Sequence, residues 1–460
     1  MKLKFLSVFT SLCIMAVTFS SCLHGDEGDH EYPSDASITA FSIGNIKTRY
    51  TQKINGKDSV LTATVIGKNY PFVIDQLSHL IYNLDSLPYG TSVSRVVTSI
   101  TSDTNYIVYT KNDKDTVWTS TDSINFESPV MFKVAAYNGT YGTPYRVSVN
   151  VHQVNPEQMV WSRLASNFPG NEINAQKAVL FNHRIYVFAE KDKQVEVTST
   201  SVSDGLSWTD LQAVGIPEKA DYRSAMAWGN KLYLVAEGNL YASPDGSTWN
   251  AVGTAPALSQ LVANYDASDD RKLMVAIDRA GTTFVESKDG STWNETTSIP
   301  DDFPKEGLSY TSYPLQTNKN IRRMIVMGKN TDKNYTVTWS RLSTESTWGD
   351  NIPNHKDYCP RLENMGMIYY NDSIYAFGGN GVKDTLQIAA FNNFYVSKNQ
   401  GIDWKVVKEN VCFPDEFNAF YAAANGNYSY AVDPNNYLWI MWSNRQDIWR
   451  GRINRLGFQK

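Results

Sequence analysis

The sequence predicts an all-β chain: an antiparallel β-sandwich followed by a six-bladed β-propeller whose ring is closed by strands from both ends of the region. Three observations carry that prediction. A short stretch recurs: Ser243-Pro-Asp245-Gly246-Ser-Thr-Trp249 returns as Ser287-Lys-Asp289-Gly290-Ser-Thr-Trp293. It returns again, modified, at Ser201–Trp208 and Ser397–Trp404, and with Glu345 in place of Asp at Ser343–Trp348. Repetition at such spacing signals a repeat architecture before any single element is assigned. Second, a paired apolar segment precedes each copy. Third, the chain is 13% aromatic, with 27 Tyr and 12 Trp, a composition that suits strands more than helices.

Taken in order, residues 1–21 read as a secretory leader, with Lys2 and Lys4, an apolar run from Phe5 to Phe19, then small residues. The run is too short for an ordinary membrane-spanning helix. Residues 22–35 read as a tether, because Leu23 to Pro33 carries Asp26, Glu27, Asp29 and Glu31 and no basic residue. His24 and His30 lie in it with too few partners for an ordered metal site.

Residues 36–152 form a separate unit. Ile38–Ile43, Ser59–Val65, Met131–Tyr137 and Tyr145–Val151 read as strands, with Asn138-Gly139 turning between the last two. Short strands punctuated by turns predict the antiparallel sandwich. Nothing there clusters His, Cys or a catalytic triad, so the unit reads as a spacer. Pro156 marks the junction to the repeat region at 157–460.

In that region Ala178–Glu190, Ala225–Glu237 and Met367–Gly379 align as an apolar strand, a polar three-residue turn and a second apolar strand. Continuous apolar character suits strands covered on both faces. Two such inner strands plus the Asp-Gly-Trp hairpin make a four-stranded blade. Trp208, Trp249, Trp293, Trp348 and Trp404 each end one repeat, and the unit from Tyr428 to Leu456 has three strands but no final Trp strand. Met159-Val-Trp161-Ser-Arg-Leu164, ahead of the first repeat, supplies the missing strand. Closure of that kind removes exposed sheet edges.

Several function classes are excluded or disfavoured. The formal charge is -5, and -7 once Lys2 and Lys4 leave with the leader, which disfavours nucleic acid as a partner. Only Cys359 and Cys412 remain in the folded region, too few for a disulfide scaffold or a Cys-rich zinc site; whether they pair is open. His183 and His355 are the propeller's only histidines, and Asp266, Asp269 and Asp270 lack the spacing of a calcium loop. No metal and no cofactor is expected. The Asp-Gly-Trp hairpins read as turn chemistry rather than as a site.

The loops entering the inner strands are the better candidates, since a propeller gathers them around one mouth of its axis. They carry Asp221, Tyr222 and Arg223, then Lys305, then Arg361, Glu363 and Asn364, and finally Asp415 and Glu416. Arg, carboxylate, amide and aromatic groups together suit a polar ligand such as a sugar.

Three resemblances sharpen these expectations. Phe19-Ser-Ser-Cys22 resembles a bacterial lipobox, which implies lipidation of Cys22 and anchoring to a membrane; the acidic residues after it resemble a surface-export signal. Ser128–Gly139 with Tyr145-Arg-Val-Ser-Val, and Asn83–Thr91, resemble Ig-like modules of surface lipoproteins. The inner strands resemble kelch-type repeats and the Asp-Gly-Trp hairpins the Asp-box of sialidase-like propellers. The whole chain thus resembles Gram-negative surface lipoproteins of a domain-of-unknown-function family, and the implied address is the outer membrane, facing the surface or, alternatively, the periplasm. The early Arg-Ile-Pro signature of active sialidases is absent. The expected function is non-catalytic recognition of a glycan or surface protein. A glycoside-active enzyme, with Glu363 and Glu416 as its carboxylates, and a structural scaffold are the alternatives. The ligand and the oligomeric state are left open.

Overall fold

The computed structural model describes residues 33–458 except 55–56, 112–113, 268–270, His355 and Lys408. The leader, Cys22, His24, His30, Asp269, Asp270 and His355 lie outside the described residues. The chain divides into two compact units at Asn155/Pro156.

The first unit holds three sheets. One orders Ile38–Ile43, Val96–Ser102 and Ser123–Ile124; a hairpin pairs Ile46–Ile54 with Lys57–Val65. The third runs Phe72–Asp75, Leu80–Asn83, Tyr145–Ser148, Val130–Val134, Ile107–Lys111 and Lys114–Val117. Ile38, Phe41, Val96, Phe132, Val134, Tyr145 and Val147 are buried in one cluster. The sheets are not wholly antiparallel, as the sequence led us to expect: Arg146 and Val147 pair with Leu80 and Ile81 in parallel. Those strands are far apart in sequence, so no hairpin dictates their relative direction. Buried Asn83 ties the two ends, donating to Asp85 O (2.7 Å) and Asn150 O (2.9 Å) while its own Oδ1 accepts from Asn150 N (2.6 Å).

The second unit contains six four-stranded antiparallel sheets. Their innermost strands are Ala175–Phe181, Ala220–Trp228, Leu258–Asp266, Glu306–Pro314, Gly366–Tyr370 and Tyr428–Val432, and we number the blades one to six in that order. Six apolar clusters lie between consecutive sheets. The last of them, with Ile185, Val187, Trp208, Trp439 and Met441, joins blade six back to blade one, so the sheets form a ring.

The repeated hairpin explains itself atom by atom. Asp245 Oδ1 accepts from Ser247 N (2.8 Å) and Thr248 N (3.1 Å), and Ser243 Oγ accepts from Gly246 N (2.8 Å). The backbone N–H groups of Thr292 and Ser291 do the same for Asp289 and hold its carboxyl down at about 2. Gly246 has φ +81°, and a Cβ there would fall 2.7 Å from the Tyr186 ring of the preceding blade, so glycine is required twice over. Trp249 donates to Gly246 O (2.9 Å) and packs back against Phe188 of blade one. Trp208, Trp348 and Trp404 likewise pack into the cluster shared with the preceding blade.

Blade six takes its outer strand from the start of the region. Met159–Leu164 pairs antiparallel with Ile448–Ile453, and Trp161 packs against the cluster between blades five and six. It occupies there the role the hairpin tryptophans fill elsewhere. Three local expectations differ from the structure. The inner turns of blades one, two and five have two residues rather than three: Phe181 pairs with Arg184, Trp228 with Lys231 and Tyr370 with Ser373, and in the first Asn182 and His183 both take positive φ (45° and 57°). An additional three-stranded sheet of Arg361–Leu362, Gly381–Lys383 and Leu386–Ile388 lies outside the repeat. The segment after Glu416 forms a helix, Phe417–Ala423, because its aromatic residues pack on Phe391, Trp442 and Trp449.

Candidate functional site

The blade topology defines two mouths. Loops entering the inner strands open on one, and the turns between first and second strands open on the other. Two polar clamps tie the innermost strands of the ring to one another. Asn264 of blade three donates to Ala227 O of blade two and Tyr310 Oη of blade four, both at 2.9 Å. Tyr430 of blade six pairs with Ser309 Oγ of blade four (2.8 Å) and accepts from Met367 N of blade five (3.0 Å). Burial pushes both phenols up, so they remain neutral hydrogen-bonding groups.

At the entry mouth the sequence candidates divide. Asp221, Tyr222 and Arg223 stay together on a bulge, where pairing with the second strand slips between Asp221 and Met226. Ser224 Oγ stabilises it by donating to Asp221 O (2.7 Å) and accepting from Val235 N (2.7 Å). Asp221 Oδ1 accepts from Arg223 N (3.0 Å) and Arg223 Nε (3.3 Å), while the Arg223 guanidinium lies 5.4 Å from the Tyr222 ring. Lys177, which the sequence reading missed, joins them from blade one by donating to Arg223 O (2.7 Å). Desolvation pushes its ammonium down to about 8, against the opposing field of Asp221. Its position on the inner strand Ala175–Phe181 was the available signal.

The remaining candidates do not join this group. Lys305 is exposed, with its backbone N–H on Lys329 O (2.9 Å). Arg361 is drawn outward into the additional sheet, its Nη1 donating to Lys333 O (3.3 Å). Asn364 is structural: its side-chain Nδ2 donates to Gly426 O (2.9 Å) and its backbone O accepts from Tyr428 Oη (2.6 Å). Glu363 is exposed and near Tyr421, whose phenol is raised by desolvation and by the Glu363 charge. Glu416 is exposed just before the helix. Among the described residues no hydrogen bond links Glu363 to Glu416.

The cavity is at the other mouth. About 360 Å³ opens among the inner turns of blades one, two, three and six, lined by Asn182, His183, Trp228, Asn264, Asp266 and Pro434 together with neighbouring backbone. Trp228 is buried, packs on Tyr233 with ring centres 6.1 Å apart, and uses its N–H on Tyr265 O (3.0 Å). The amide N–H groups of Asn264 are occupied by the clamp, and among the described residues no donor reaches its Oδ1. Asp266 makes a 3.5 Å ion pair with Lys272, and His183 is exposed on its two-residue turn. An aromatic surface with a few oriented polar groups, in this volume, accommodates a small polar molecule. Among the described residues no three His, Cys, Asp or Glu side chains are grouped to hold a metal.

A ring of six four-stranded sheets, preceded in the chain by a separate β unit, places the molecule among two-domain β-propeller proteins. The chain belongs to the DUF6242 family: residues 155–460 match its beta propeller domain and 41–149 its N-terminal domain of unknown function. No curated protein sequence matches the chain. Among solved structures it is similar to the GH93 α-L-arabinofuranosidase of Fusarium graminearum in complex with arabinobiose. That likeness has 11% identity and a TM-score of 0.38, and covers 63% of this chain and 97% of that one. It is also similar to virginiamycin B lyase from Staphylococcus aureus, with 8% identity and a TM-score of 0.36 over 64% and 99% of the two chains. The endo-1,4-beta-xylanase of Bacteroides thetaiotaomicron matches at 9% identity and a TM-score of 0.32 over 53% and 97%. At these values the likenesses carry no argument about activity.

Proposed function

We propose that the propeller is a non-catalytic recognition module that seats a saccharide unit in the cavity of its turn mouth. The observation that carries this reading is the cavity itself, whose lining combines Trp228, Asn264, His183 and Asp266. Aromatic surface covers the apolar face of a sugar, while carbonyl, imidazole and carboxylate groups take hydroxyls. The test is a glycan array on the full chain, followed by titration of the best hit against variants at both mouths. His183→Ala and Asp266→Ala are expected to weaken binding about tenfold to a hundredfold, since a hydrogen bond to a charged group contributes about 1.5–3 kcal/mol. Arg223→Ala, Arg361→Ala and Glu363→Ala are expected to leave affinity unchanged. The reverse pattern would move the ligand to the entry mouth. Hydrolysis of the hit, lost in Glu363→Gln or Glu416→Gln, would replace recognition by glycosidase activity.

The first unit, in the same proposal, is an Ig-like sandwich that spaces the propeller from an outer membrane to which Cys22 anchors it. The lipobox-like Phe19-Ser-Ser-Cys22 and the acidic stretch after it support this. Two acyl chains hold a protein on a membrane where one does not. Cys22→Ala is expected to shift the protein from the membrane to the soluble fraction; unchanged fractionation would remove the anchor.

A further inference from the structure

Blade six carries two arginines whose charges no carboxylate answers among the described residues. Arg450 and Arg452 alternate along the strand Ile448–Ile453, so they project from the same face. Both stack on one ring: their guanidinium carbons lie 4.6 and 4.2 Å from the centre of Tyr437, and Arg450 also reaches Trp439 at 5.3 Å. The other arginines of this sheet and the segments flanking it have carboxylate partners. Arg163 and Arg445 bind Asp447, and Arg455 binds Glu157. Among the described residues neither Arg450 nor Arg452 forms an ion pair. Among the described residues the Arg450 side chain makes no hydrogen bond, and its Nε is buried without an acceptor. Arg452 donates only from Nη1, to Asn435 O (3.0 Å). Asp433, the acidic residue of the neighbouring turn, is already engaged: it accepts from Asn435 N, Tyr437 N and Trp439 Nε1.

Stacking occupies the faces of a guanidinium and leaves its N–H groups pointing outward in the plane. Two such cations on one ring, without a carboxylate beside either among the described residues, leave a local excess of positive charge that an oxyanion could answer with charge-assisted hydrogen bonds. The turn Asp433–Tyr437 connects this pair to the cavity, because Pro434 lines the cavity while Asn435 and Tyr437 hold the arginines. We infer that Arg450 and Arg452 form an oxyanion subsite, and that the saccharide the propeller recognises carries a carboxylate or sulfate group. The choice of a saccharide rests on the cavity reading; the oxyanion subsite stands on the arginines alone.

The probes are trigalacturonate, its trimethyl ester and inorganic sulfate, titrated against the full chain at one ionic strength set with chloride. The acid is expected to bind at least tenfold tighter than the ester, and sulfate to raise the melting temperature where chloride does not. Arg450→Gln with Arg452→Gln should erase both effects, and Arg455→Gln should preserve them. If the double glutamine variant does not fold, Arg450→Lys with Arg452→Lys keeps the charge but loses the fork, and should lose most of the advantage. Equal affinity for acid and ester together with no sulfate effect, or effects that survive in the arginine variants, would overturn the subsite. Acid that binds through the arginines while the ester does not bind at all upholds the subsite and removes the cavity reading. Ester that binds through His183, with no gain from the acid and no sulfate effect, does the opposite.

Discussion

Deleting residues 158–164 is expected to abolish the cooperative thermal transition of the propeller, a far larger effect than the length of the segment suggests. Met159–Leu164 pairs along its whole length with Ile448–Ile453, so its loss strips blade six to three strands and exposes an edge. Trp161 also leaves. Its N–H donates to Cys412 O (2.8 Å), and its ring packs on Phe413 at 5.7 Å and Phe417 at 5.1 Å. Gly451 opposite it has no room for a side chain, because a Cβ would sit 2.5 Å from the indole. Removing one large aromatic from such a contact costs about 3–5 kcal/mol, a large share of the roughly 5–15 kcal/mol that holds a domain folded. The ladder of the closing strand is lost in addition. Calorimetry of the deletion and of Trp161→Ala separates the two contributions. The point variant should melt lower but cooperatively, whereas the deletion should show no native transition and should self-associate through the bared edge. A deletion protein that melts within a degree or two of the parent would mean the ring does not depend on this strand.

That closure was legible before any coordinates because it is written in residue types: five hairpins ended in Trp, the sixth repeat lacked one, and Trp161 stood alone upstream. The hairpins were legible for the same reason, since the bonds to Asp245 and the positive φ of Gly246 are set within the turn itself, although the Tyr186 ring that also demands glycine at 246 comes from another blade. What stayed hidden depends on distant partners. Periodicity marks Tyr145–Ser148 as a strand but carries no information on its parallel neighbour Leu80–Asn83. The entry loops were assigned to one mouth by topology, yet topology did not reveal that Arg361 turns outward to Lys333 O or that Asn364 is used to hold Gly426. The cavity escaped because its polar groups come singly from different inner turns: His183 from blade one, Asp266 from blade three. Each is unremarkable in its own repeat. The Arg450–Tyr437–Arg452 stack was hidden likewise, because arginines at alternate strand positions normally find carboxylates.

The second large effect is expected at Glu286, a residue with no part in either mouth. Glu286 lies on the third strand of blade three, Thr283–Ser287, and meets Arg341 on the third strand of blade four, Val337–Leu342. The pair is nearly dry: the side chains are 12% and 6% exposed. Arg341 Nη1 bonds Glu286 Oε1 and Nη2 lies 3.4 Å from Oε2, while Nε donates to Glu345 O (2.8 Å). Glu345 is the residue that replaces Asp in the altered hairpin, and its carboxylate accepts from Leu342 N (2.9 Å), so the pair also secures the one repeat whose own turn chemistry is incomplete. Glu286→Met leaves a guanidinium buried without its counter-charge, which costs about 3–5 kcal/mol. Arg341→Leu alone strands the carboxylate and should cost a similar amount. Replacing both, as Glu286→Met with Arg341→Leu, should recover most of the loss, because filling the space with apolar atoms removes the desolvation penalty of both ions. Urea unfolding of the four proteins gives the coupling directly. If the double variant falls by the sum of the two single losses, the residues act independently and the ion pair does not join blades three and four.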